Sequence, residues 1–68
     1  MTLDCRGMLC PLPVIKLAQA FPSVQIGDTI TVLADDPAAA TDIPAWCRMR
    51  AQELVSAAGD KYVVRRLS

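Results

Sequence analysis

Sixty-eight residues, 53% of them apolar, carry seven basic and seven acidic side chains and no histidine. This reads as one folded domain, residues 1–68, whose core is marginal unless closely packed or shared with a partner. Zero net charge argues against strong intrinsic nucleic-acid binding and leaves little repulsion against weak self-association. No stretch suits a bilayer, and without histidine there is no Cys-His or Ser-His nucleophile system and no Cys/His zinc site.

Met1-Thr2-Leu3-Asp4 lacks the basic and apolar regions of a signal peptide, so the expected location is cytoplasmic. There an odd count of three cysteines predicts free thiols. Thr2 to Cys5 alternate as a short half-buried strand, with Leu3 and Cys5 on one face. Gly7 permits a tight turn. From Pro11 to about Phe21, Val14, Leu17, Ala18 and Phe21 recur at helical spacing.

Cys10-Pro11-Leu12-Pro13 is the most informative run. Proline is tolerated in the first turn of a helix, where its missing N–H is an orphan. The helix should therefore start at about Pro11, with Cys10 at or beside the N-cap. Unpaired amides and the positive end of the helix dipole would then favour thiolate, the nucleophilic form.

Pro22, Ser23 and Gly27 mark a loop, and Asp28 to Ala34 is a β-branched strand. Asp35-Asp36-Pro37 reads as a turn. Thr41 or Asp42 can cap a second helix with Pro44 in its first turn, running to about Leu54. Leu54 to Ala57 reads as a short strand, little more than a stub. A turn at Ala58-Gly59-Asp60-Lys61 leads to a last strand, Tyr62 to Leu67. The order is β-α-β-α-β-β: a small open mixed sheet with two helices on one face, the other face wet or covered by a partner.

Cys10 has two readings, a small buried hydrophobe or an activated thiol; its place at the helix start favours the second. Cys5 is a packed strand residue or a resolving thiol, and alternation explains it without redox chemistry. Cys47 falls on the core azimuth of the second helix. A three-thiol metal site from Cys5, Cys10 and Cys47 is the weakest reading. Met8, Leu9 and Leu12 form an apolar collar beside the thiol, suited to docking a partner. Arg6, Lys16, Arg48, Arg65 and Arg66 read as solvated charges. Arg50 falls inside the apolar arc, where it would snorkel or make the helix roll.

Leu3-Asp4-Cys5-Arg6-Gly7-Met8-Leu9-Cys10-Pro11-Leu12-Pro13 resembles the signature of the TusA-like (SirA-type) sulfur-carrier family. Ala34-Asp35-Asp36-Pro37, the run Thr41 to Cys47 and the basic end of the last strand extend the resemblance over nearly the whole chain. Some members carry an acidic residue where this chain has Leu12.

The resemblance implies a two-layer α/β sandwich, and a carrier in a sulfur relay more than a stand-alone enzyme. Cys10 would hold a transient persulfide with no cofactor and no metal, Gly7, Pro11 and Pro13 supporting it. A cysteine desulfurase or rhodanese-type donor would load it. A downstream acceptor would unload it, in tRNA thiolation, molybdenum-cofactor maturation or sulfur oxidation. The rival readings are a non-catalytic regulatory or binding module on the same fold, and a Cys5/Cys10 dithiol redox protein.

Overall fold

A computed structural model describes all 68 residues. In chain order the elements are β1 (Thr2–Asp4), α1 (Leu12–Ala20), a single 3₁₀ turn (Phe21–Ser23), β2 (Thr29–Leu33), α2 (Ala39–Arg50), β3 (Glu53–Ala58) and β4 (Lys61–Arg65). The sheet order is β1-β2-β4-β3. β1 runs parallel to β2, and β4 runs antiparallel to both β2 and β3. It follows that β1, β2 and β3 all point the same way. Both helices are then crossovers between parallel strands and run back against them, side by side. Their N-termini share the edge of the sheet where β1 and β2 end.

The helices cover one face. Leu17 of α1, Ile30 and Val32 of β2, Ile43 of α2 and Val64 of β4 are fully buried, with Phe21, Trp46 and Tyr62 around them. Alternation along β2 places Thr29, Thr31 and Leu33 on the helix-free face, half-buried, with Val63 and Arg65 of β4 beside them. Burying one face and leaving the other open gives the period-two pattern its clarity. No helix is long and apolar enough to cross a membrane.

Strand ends shift by one or two residues from the sequence reading, β4 ending at Arg65 instead of Leu67, and three helix boundaries differ. α1 begins one residue later, at Leu12, with Pro11 as N-cap and Pro13 buried in its first turn. α2 begins at Ala39, because Asp36 accepts the Ala38 N–H on Oδ1 at 2.9 Å and its carbonyl takes the Ala39 N–H. Pro44 therefore lies inside the helix. α2 also stops earlier, at Ala51, which adopts a left-handed conformation (φ 56°). Gln52 N–H then folds back onto the Cys47 carbonyl, closing the helix as a glycine would. The chain released by this stop becomes β3, six residues paired with β4 across a bulge at Leu54/Ser56. The expected stub is thus the longest strand.

At the C-terminal ends of the helices, Phe21 and Trp46 meet edge to face, centroids 5.1 Å apart. Arg50 lies over the Trp46 ring at 6.0 Å, so the position that seemed misplaced covers an aromatic. Arg66 is not simply solvated: it sits over Phe21 and donates to the Val24 carbonyl at 2.7 Å, with longer bonds to the Pro22 and Ser68 carbonyls. Arg6 and Arg65 make exposed ion pairs with Asp4 and Glu53.

Candidate functional site

β1 carries Leu3 into the core beside Val32, and Cys5 follows as a buried residue whose N–H donates to the Leu33 carbonyl. The chain then leaves the sheet. Gly7 turns it with φ +82°, a conformation that favours glycine, and Met8, Leu9 and Cys10 lead into α1. No strand pairing holds this loop. Two carboxylates do: Asp35 Oδ1 accepts the Gly7 N–H and Asp36 Oδ2 accepts the Cys10 N–H, both at 2.9 Å. Asp36 binds Cys10 and Ala38 at once, so one side chain aligns the thiol loop with the start of α2. These amides hold the Asp36 carboxyl below its ordinary range, Ala38 first and Cys10 second.

All three thiols are free. Cys5 and Cys47 are 1% and 2% exposed, while Cys10 is half-buried. Burial pushes the Cys5 and Cys47 thiols up, and Asp4 adds to the effect on Cys5. No group of three potential ligands is gathered for a metal. Leu9 (74% exposed) and Leu12 (46%) stand free beside the thiol, whereas Met8 packs partly on the core. Along the other side of Pro11 runs a shallow groove of about 230 Å³ between the helices, lined by Pro11, Val14, Asp42, Ala45, Trp46 and Met49.

The electrostatics of Cys10 reverse the sequence expectation. Of the first helical residues, Pro13 has no N–H and Leu12 spends its own on the Leu9 carbonyl, while the N-cap is itself a proline. The prolines that set the helix start also take two amide donors away from it. Burial is the main influence raising the Cys10 thiol, followed by the charges of Asp42 and Asp36. These influences work against the thiolate, not for it.

Sequence reasoning missed Asp35, Asp36 and Asp42, reading the first two as a turn and the third as a cap. The signal for Asp36 was present: aspartate directly before proline is how many helices begin. Nothing in the sequence alone brings the charge of Asp42 to bear on Cys10, thirty-two positions away.

Fold and site together define a small α/β domain that presents one accessible thiol at the strand ends of a half-covered sheet. A profile of the sulfurtransferase TusA family matches residues 1–66, and the chain belongs to that family, whose members act in sulfur relays between donors and acceptors. Among solved structures, the crystal structure of a SirA-like protein from Desulfitobacterium hafniense is similar, with a TM-score of 0.69 and 24% identity over 93% of this chain and 89% of that one. The expected two-layer fold, with its β-α-β-α-β-β order, is the one observed.

Proposed function

We propose that Cys10 carries sulfane sulfur as a persulfide in a cytoplasmic relay. One observation carries the assignment: of the three thiols only Cys10 reaches the surface, on a loop fixed by Asp36 at the sheet edge shared by both helix N-termini. Open α/β sheets place their chemistry at such edges.

Loading is a sulfur exchange that leaves the sum of oxidation states unchanged. The Cys10 thiolate attacks the outer sulfur of a persulfide on a desulfurase or rhodanese-type donor. The donor S–S bond breaks, the donor leaves as thiolate, and Cys10 becomes Cys10–S–S⁻. Unloading repeats the step, with an acceptor nucleophile attacking the outer sulfur and Cys10 leaving as thiolate. Acceptors in tRNA thiolation, molybdenum-cofactor maturation or sulfur metabolism fit this chemistry, which needs no resident cofactor. Leu9, Leu12 and Met8 form the docking collar, and Gly7, Pro11 and Pro13 set the loop and the helix start.

The test is incubation with a cysteine desulfurase and cysteine, read by intact mass spectrometry. The expected result is one added sulfur atom, absent in Cys10→Ser. Persistence of the adduct in that variant, or no adduct from any donor class, refutes the assignment. Cys10→Ser that keeps both partner binding and cellular function would instead mark a regulatory binding module.

A further inference from the structure

We infer that this domain pairs with a second copy of itself through the seam between α1 and α2, the two copies lying antiparallel so that Asp42 of each meets Arg50 of the other. The inference does not depend on what Cys10 carries.

Two hollows follow one another along the seam, and Trp46 walls both. The first, beside the thiol loop, has Pro11, Val14, Ala45 and Met49 as apolar walls and Asp42 as its one charged lining. The second, about 320 Å³, opens at the C-terminal ends of the helices against Ala18, Phe21 and Pro22, with Arg50 as its one charged lining. Met49 stands on the rim, 78% exposed. The seam is thus an apolar track with a carboxylate at one end and a guanidinium at the other.

Neither charge is answered within the chain. The ion pairs are Arg6–Asp4 and Arg65–Glu53, and neither Asp42 nor Arg50 is in one. The Arg50 guanidinium rests over Trp46 at 6.0 Å. Asp42 and Arg50 both lie on α2, and their separation of eight positions spans about 12 Å along a helix axis. They cannot pair with each other.

A two-fold axis through the seam near Trp46 removes the mismatch. Trp46 lies midway between Asp42 and Arg50 in the chain. An antiparallel copy therefore brings a carboxylate to a guanidinium at both ends at once, as isologous contacts require. Met49 of each copy then enters the apolar track of the other, its thioether beside Trp46. Zero net charge sets no long-range repulsion against the approach. A partner of another kind would need a cation and an anion at the matching spacing; a second copy carries that spacing by construction.

The assay is sedimentation equilibrium, with loading raised to about 1 mM, where even weak pairing shows. The wild type should form a dimer that weakens as salt is added. Asp42→Arg makes both contacts positive and Arg50→Asp makes both negative, and each should weaken pairing roughly tenfold or more. Mixed in equal parts, the two variants carry opposite charges at both contacts and should pair about as well as wild type. Met49→Ser, at a position already exposed in the single chain, should weaken pairing about tenfold. A wild-type monomer throughout overturns the inference. So does a dimer indifferent to all three substitutions, as one formed along the free edge of β3 would be, or no recovery on mixing. Circular dichroism checks the fold of each variant. If a charge variant does not fold, wild type against Met49→Ser decides, and unchanged association there refutes.

Discussion

Ile43 sits on the inner face of α2, one residue after Asp42, with no exposed surface. Ile43→Val removes one buried methylene and leaves a small cavity, at a cost of about 0.5–1.5 kcal/mol. Leu17→Ala, at an equally buried position on α1, removes three carbons and costs about 2–5 kcal/mol. For 68 residues, a stability of roughly 0.05–0.15 kcal/mol per residue gives about 3–10 kcal/mol in total. The valine variant should stay folded with its melting temperature lowered by about 4–8 °C per kcal/mol. The alanine variant should lose about a fifth or more of the whole. Thermal and urea denaturation followed by circular dichroism measure both, with the urea slope unchanged in Ile43→Val. Cys10 alkylation at 25 °C should match wild type in Ile43→Val, because the thiol loop is anchored elsewhere. A cost under ~0.3 kcal/mol for Ile43→Val together with one under ~1 kcal/mol for Leu17→Ala would refute a close-packed interface between helices and sheet.

Stability should fall on acidification. Asp4 is lowered from 3.8 to about 2, chiefly by its side-chain bond to Arg6, and Asp36 is lowered by the Ala38 and Cys10 amides. A carboxyl lowered by folding stabilises above its unfolded value and loses that contribution as pH falls through the native one. Urea midpoints should therefore drop between about pH 5 and pH 2, and Asp36→Asn should flatten part of that slope. Arg66→Ala removes three guanidinium–carbonyl bonds and the cover over Phe21. A loss of about 1.5–3 kcal/mol in urea unfolding, with the Cys10 pH profile unchanged, is expected. Gly7→Ala meets no atom within 4 Å but must hold φ +82°. It should cost about 1–2 kcal/mol from backbone conformation alone, measured by thermal unfolding.

Element order was legible in the chain because the periodicities are clean. Ile30 and Val32 alternate with Thr29 and Thr31, and Leu17 and Phe21 recur at four. The end of α2 was not legible, because it depends on Ala51 taking a left-handed conformation that sequence ordinarily assigns to glycine. Pairing of Glu53 with Arg65 across the sheet then claims the residues that the helix would have used, a tertiary preference overriding a local one. At the site, the position of Cys10 and the exposure of Leu12 could be read directly. The sign of the electrostatics could not. It hinges on long-range placement of Asp36 and Asp42, and on prolines whose helix-starting and donor-removing effects oppose each other.

The Gly7 and Cys10 amides are fastened to residues 28 and 26 positions away, not to a neighbouring strand. Segments tied in this way can open without disturbing the buried core. In hydrogen-exchange terms, the Cys10 loop should open as a unit of its own, at a free energy to which two carboxylates add to the partial packing of Met8 and Cys10 on the core. Protonating the carboxylates should unlatch the loop at a pH where β2 and β4 still exchange slowly. Its mobility can then be tuned apart from the stability of the fold, by any condition that changes the charge of Asp35 and Asp36.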